Sequence, residues 1–503
     1  MIIKPKKYKI EDFSNFLNNS KSVVLSNLSS ELIKKSRVSI EKAIKEENTI
    51  YGVNTGFGKL SQIKIKHDQI SKLQENLILS HATGLGQPVN DTVVKLILLT
   101  KIISLSMGYS GVRISIVNFL VNLLNNNIYP VIPCQGSVGA SGDLAPLAHL
   151  ALPMLGLSKV RYKGKIYKSI TILKKFNLKP IKLSYKEGLA LINGTQFSLS
   201  FGILAAIQSK KIIKNIDIVG AISADSLYCS DKSFLNIVHE LKPHKGQIDS
   251  ATNIYNLLKN SKIKDFHNNK YRVQDMYSIR CMPHVHGACR ETLKYFYNII
   301  ETEINSVSDN PLVFNKEKII SAGHFHAQAI GQAMDSAAIA ITTLGNICER
   351  RISTLVNGDF GLPPFLVKNA GLNSGFMITQ ITAAAIASEN KCLANPSTVD
   401  SIPTGANQED FVSMAPFAGR KLLNIVNNVE YILAIELLTS LQAIDFRKNL
   451  KSSTSIEAVR VFVRKYIKHL VKDKYMEEDL NKSIEIIKNG EIINVVENII
   501  SLK

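Results

Sequence analysis

Residues 326–357, HAQAIGQAMDSAAIAITTLGNICERRISTLVN, contain no proline and are dominated by Ala, Gly, Ser, Thr and Ile. Residues 376–394, FMITQITAAAIASENKCLA, repeat that texture. Thirty helical residues span about 45 Å, far more than one turn of packing needs. Small side chains let such helices approach closely, so these stretches predict long helices in a tight bundle and invite association between copies. The preceding part of the chain reads differently. SNLSSELIKKSRVSIEKAIKEE opens on serine caps and continues at helical spacing, and helical patterns fill 69–126. Between and after them come the glycine-punctuated YGVNTGFGKL at 51–60 and a lysine-rich excursion over 158–182, with two short strands expected around KGK. The expectation is a mainly α protein: a loop-rich mixed domain over 1–196, then a long-helix domain over 197–503.

Composition narrows the function classes. With 503 residues and 45% hydrophobic, the chain can bury a large core. The N-terminus, MIIKPKKYKIEDF, lacks an apolar run of signal-peptide length, and the apolar windows 94–107 and 200–222 carry lysines or an aspartate. Neither reads as a membrane span, and a cytoplasmic protein is expected. The six cysteines are scattered, with no Cys-x-x-Cys pair, which argues against a zinc knuckle or a disulfide framework. The net charge of +20 is spread through the chain as lysine, without an aromatic-interleaved basic motif. No nucleic-acid partner and no membrane partner are expected. His284-x-His286 and His324-x-His326 lack acidic or cysteine companions at ligand spacing, and no metal is expected. The glycines of TGFGKL do not link a strand to a helix, so a dinucleotide fingerprint is not supported.

One segment resists a bland reading. QGSVGASGDLAPLAH, 135–149, has glycines at 136, 139 and 142 around Ala140-Ser141. A tight turn would need fewer. A backbone nitrogen can attack the carbonyl two residues earlier if the chain bends hard enough, and glycine both tolerates the bend and leaves its nitrogen unhindered. Closing that ring between Gly142 and Ala140, with loss of water there and from Ser141, leaves an exocyclic methylidene. An electrophile then arises from Ala, Ser and Gly alone. A flexible loop, or Ser141 as a hydrolase nucleophile, remains the alternative; Ser141 is not in a Gly-x-Ser-x-Gly elbow.

GSVGASGDLAPLAH resembles the segment that forms 4-methylideneimidazole-5-one (MIO) in the aromatic amino acid ammonia-lyase family. YGVNTGFG at 51–58, LSHATGLG at 79–86, LINGTQ at 191–196, VQDMYSIRCMP at 273–283, GLPPFL at 361–366, NSGFMITQITAAAIASEN at 373–390 and NQEDFVSMAP at 407–416 resemble the same family and cover nearly the whole chain. The resemblance is greatest to the branch acting on histidine. It implies elimination of ammonia from L-histidine to trans-urocanate, with MIO formed autocatalytically from Ala140, Ser141 and Gly142 and no dissociable cofactor. It implies Tyr51 as base at the β-carbon, Arg280 on the substrate carboxylate, and Asn193 and Tyr277 against the MIO oxygen. It further implies Phe325 and Gln274 lining the pocket, and His81 with Glu409 at the imidazole, where relatives acting on phenylalanine or tyrosine usually carry an amide in place of Glu409. A homotetramer sharing its active sites is implied too. Phe411, Gln328, Ala329 and Asn395 depart from the family pattern, and Phe411, two residues from Glu409, bears on ring selectivity. Tyrosine or phenylalanine ammonia-lyase, or an aminomutase, is the alternative inside the family; a non-catalytic basic helical scaffold is the alternative outside it.

Overall fold

The computed structural model describes residues 1–19, 22–265, 273–447 and 449–503. About 60% of the chain is helical. It divides into two compact units, one of Met1–Leu204, Tyr297–Asp335 and Pro396–Arg420, the other of Ala205–Phe296, Ser336–Asn395 and Lys421–Lys503. The single cut expected after residue 196 leaves 297–335 and 396–420 with the long helices; in the structure they fall in the first unit.

In the first unit, helix α1 (Asn27–Lys45) starts where expected, with Ser26 Oγ accepting from Ser29 N. Its inner face joins Ile50, Val53 and Val313 in one buried cluster. Helix α2 (Ile70–His81) follows, and then α3 (Asp91–Ser106), which is capped by Asn90 and buried from Leu96 to Ser106. Strand β1 (Leu85–Pro88) pairs antiparallel with β2 (Pro133–Gln135), which delivers the chain to the glycine-rich segment. Two short helices, α4 (Leu144–Ala151) and α5 (Glu187–Ile192), pack against each other and against α2. The excursion forms β3 (Lys159–Tyr162) and β4 (Lys165–Lys168), paired antiparallel around Lys163-Gly164 as the sequence suggests.

The long helices are α6 (Gln196–Ser226), α7 (Met282–Ile304), α8 (Gln328–Val356), α9 (Met377–Leu393) and α10 (Ala415–Asp445). Their small residues act as expected within the second unit. A Cβ at Gly345 would sit 2.9 Å from Val429, and one at Gly220 would sit 2.6 Å from the Met282 sulfur, so glycine is what allows these helices their approach. Arg351 and Glu436 pair in that interior, both fully buried. Only α10 among the described helices is long and apolar enough to cross a membrane, and 78% of its most apolar window is buried in the protein.

Candidate active site

The glycine-rich segment is held in an unusual shape. Gly142 has φ +78°, and a Cβ there would lie 2.2 Å from Gly194 O and 2.8 Å from Gly194 N, so no other residue fits. Gly142 and Gly194 form a parallel bridge in which Asp143 N donates to Gly194 O at 2.8 Å and Gly194 N donates to Ser141 O at 3.5 Å. Asp143 is fully buried; its carboxylate accepts from Ser198 N (2.9 Å) and Ser198 Oγ (2.6 Å), while burial pushes its pKa up to about 6. On the other side, Ser413 Oγ donates to Gly139 O and Met414 N donates to Val138 O. The tripeptide is thus gripped from both flanks by segments far away in sequence. Ala140 is 8% exposed and Gly142 is buried, leaving the Ser141 side chain as the part that faces open space.

That space is a cavity of about 1580 Å³ in the first unit, lined among others by Tyr51, His81, Ser141, Asn193, Phe325 and Glu409. Six residues taken from six separate segments therefore meet in one place. Tyr51 Oη accepts from Gly58 N at 3.1 Å. His81, at the C-terminal end of α2, has Nδ1 3.0 Å from Ser80 Oγ. Burial lowers its pKa and favours the neutral ring, opposed by a hydrogen bond to the Leu77 backbone and by the negative charge of Glu409. Glu409 accepts from Thr404 Oγ1 at 2.7 Å and from Ser141 Oγ at 3.3 Å. Asn193 Nδ2 donates to Asn310 O at 2.8 Å, which fixes the amide at the cavity wall.

Tyr277, Arg280 and Gln274 do not line this cavity; they lie in the second unit. Arg280 stacks over the Tyr277 ring at 4.7 Å, Tyr277 is 71% exposed and Gln274 is exposed. Phe411 also stays out of the lining. Its ring stacks on His326 (6.2 Å between centroids, 17° between planes) and its carbonyl lies 3.4 Å from His326 Nε2. Among the described residues no group of three or more His, Cys, Asp or Glu could hold a metal ion, and all six cysteines are free.

Sequence reasoning passed over several supports: Thr404 on Glu409, Asn310 on Asn193, Ser198 on Asp143, and Lys101. Only Lys101 left a signal, as a lysine inside the apolar run VKLILLTKIISLSM.

A family model described as aromatic amino acid lyase matches residues 8–465. A histidine ammonia-lyase of Legionella pneumophila (strain Paris) is 44% identical over 483 residues, 96% of each chain. The crystal structure of a histidine ammonia-lyase from Trypanosoma cruzi superposes with a TM-score of 0.92 at 36% identity, covering 99% of this chain and 95% of that one. A tyrosine aminomutase from Streptomyces globisporus gives 0.94 at 31% identity, with both chains fully covered. With the match running through nearly all of the sequence, and the cavity assembled from the segments that carry it, this chain belongs to the aromatic amino acid lyase family.

Proposed function

We infer that this chain is a carbon–nitrogen lyase that eliminates ammonia from L-histidine to give trans-urocanate, the first step of histidine degradation. The observation that carries the choice of substrate is that His81 and Glu409 line the same cavity, close enough for the charge of Glu409 to act on the His81 ring. A carboxylate can accept an imidazole N–H, whereas beside an apolar ring it would be costly to desolvate. The neutral His81 ring, tied to Ser80 through Nδ1, leaves Nε2 for the other side of the imidazole.

Ala140, Ser141 and Gly142 fit the source of an MIO group. The third position admits only glycine, the first two are packed so that the serine Cβ faces the cavity, and Asp143 fixes the chain immediately after. When formed, MIO supplies an electrophile that draws electrons from the substrate and makes ammonia a better leaving group. The chain's own residues do the rest. Tyr51 takes the β-proton; its oxygen is aimed by the Gly58 N–H and needs a positive field to act as a base. Asn193, whose Nδ2 donates to Asn310 O, is assigned to the Ser141 carbonyl oxygen, where its amide would hold negative charge. Phe325 supplies an apolar wall. Arg280, with its fixed charge, binds the substrate carboxylate bidentately, and Tyr277 and Gln274 complete the site. In this reading the protein works in the cytoplasm as a homotetramer whose copies share residues around each cavity.

The test is an ultraviolet progress curve with L-histidine, L-tyrosine and L-phenylalanine in parallel. Urocanate from histidine alone is expected. A cinnamate-type product instead would overturn the assignment of His81 and Glu409 while keeping the lyase. Ser141→Ala should remove turnover and the loss of two waters from the chain mass, and substantial residual turnover would sink the MIO assignment.

A further inference from the structure

Lys101 is 1% exposed in the middle of α3, among leucines and isoleucines. An ammonium in such a place is tolerated only if its donors are satisfied. Its hydrogen bonds go to two backbone carbonyls, Ala190 O at 3.1 Å and Asn193 O at 2.6 Å. Lys186, equally buried, pairs directly with the Asp309 carboxylate at 2.6 Å. The two lysines are therefore used differently: one is neutralised by a carboxylate, the other is spent on the end of α5.

A positive charge at a helix C-terminus is favourable on its own. Here, however, the capped carbonyl belongs to a residue of the cavity wall. The Asn193–Gly194 peptide that accepts from Lys101 carries the Gly194 N–H, which donates to Ser141 O, and the next carbonyl, Gly194 O, accepts from Asp143 N. An ammonium on a peptide oxygen withdraws electron density through the amide and makes its N–H a stronger donor. One peptide unit thus separates the Lys101 charge from the carbonyl oxygen of Ser141.

We propose that Lys101 is a positioning residue for the lyase reaction, whose ammonium fixes and polarises the Asn193–Gly194 peptide so that Gly194 N–H and the Asn193 amide can hold negative charge on the Ser141 carbonyl oxygen. This rests on the reading of Ala140, Ser141 and Gly142 as the MIO source. The charges around Lys101 support it. Burial lowers its pKa to about 7, Asp309 and Asp143 sustain the ammonium, and Lys186 opposes it.

Lys101→Met removes charge and donors; Lys101→Gln keeps an N–H donor without the charge. Both are compared with the parent by intact mass, thermal unfolding, the near-ultraviolet absorbance of the resting protein, and the separate values of kcat and KM. Folded variants that have lost two waters should show kcat reduced about tenfold to a hundredfold, below the roughly 10²–10³ that removing a direct oxyanion donor costs, with KM little changed. Their resting absorbance should move to shorter wavelength, because the carbonyl end of the conjugated group is less polarised. A merely structural lysine would lower the unfolding temperature without moving that band. Either variant keeping the parent's kcat and band overturns the proposal, and so does failure of both to fold. A parent chain that has not lost two waters refutes the MIO reading instead.

Discussion

Gly142→Ala separates what the backbone of the tripeptide needs from what any left-handed glycine needs. At φ +78° an alanine costs about 1–2 kcal/mol in that region of backbone space. The added Cβ also meets Gly194 O at 2.2 Å, Gly194 C at 2.6 Å and Gly194 N at 2.8 Å, all backbone atoms that cannot swing away. Forcing extra volume into a packed site adds about 1–3 kcal/mol, and stiffening the unfolded chain returns about 0.4–1 kcal/mol. The total is about 2–4 kcal/mol of destabilisation, concentrated where Asp143 N and Ser141 O bond to Gly194. Gly164 is the control: it has φ +74° in the β3–β4 turn, and an added Cβ would meet nothing within 4 Å. Gly164→Ala should cost no more than the backbone term, keep the loss of two waters and keep the parental activity. Gly142→Ala should unfold at clearly lower denaturant, retain both waters in its mass and show no turnover. A Gly142→Ala chain that loses two waters, or unfolds together with Gly164→Ala, would refute the claim that the contact with Gly194 shapes the tripeptide.

Glu409→Gln should lower kcat/KM for histidine about tenfold to a hundredfold, the value of about 1.5–3 kcal/mol for a hydrogen bond to a charged group, while the loss of two waters is kept; unchanged kcat/KM would remove Glu409 from ring recognition. Tyr51→Phe should abolish turnover without altering the near-ultraviolet band, and retained turnover would move the base elsewhere. Asp217 is buried against His286 and Arg290, which, with Asn253, hold its pKa down to about 2 despite burial. Its folded pKa is below the ordinary 3.8, so its contribution is present above pH 3.8 and lost as pH falls toward 2. Asp217→Asn should therefore cost about 3–5 kcal/mol at neutral pH, and the gap to the parent should narrow by about 2–3 kcal/mol across that acid window; a gap independent of pH would contradict the pairing. Asp143 has the opposite sign. Its raised pKa means that ionising it opposes folding as pH climbs from 3.8 to about 6, so Asp143→Asn should flatten the unfolding midpoint in that range.

Much of this protein was legible before folding. The proline-free, small-residue runs became α8 and α9 nearly to their ends, Ser26 capped α1, and Lys163-Gly164 turned the hairpin, because helical period, caps and turn chemistry act within a few residues. The ordered motifs marked six residues that line the cavity and three, Gln274, Tyr277 and Arg280, that do not, and Gly142 announced a backbone that no side chain could occupy. Phe411 was not placed by the sequence: two residues from Glu409, it is absent from the cavity lining and its ring stacks on His326.

The sequence by itself determined the helical class, the family and the inventory of chemistry: an Ala-Ser-Gly able to cyclise, a tyrosine, an asparagine, a histidine and a glutamate. Only the tertiary structure decided that Tyr51, His81, Ser141, Asn193, Phe325 and Glu409 line one cavity, that Gly194 rather than solvent presses on Gly142, and that a lysine in an apolar helix ends on the carbonyl of Asn193. The physical reason is range. Periodicity and turn chemistry are settled by neighbours in the chain, whereas the partner of a buried charge, or the atom opposite a missing Cβ, is settled by segments that meet only once the core has closed.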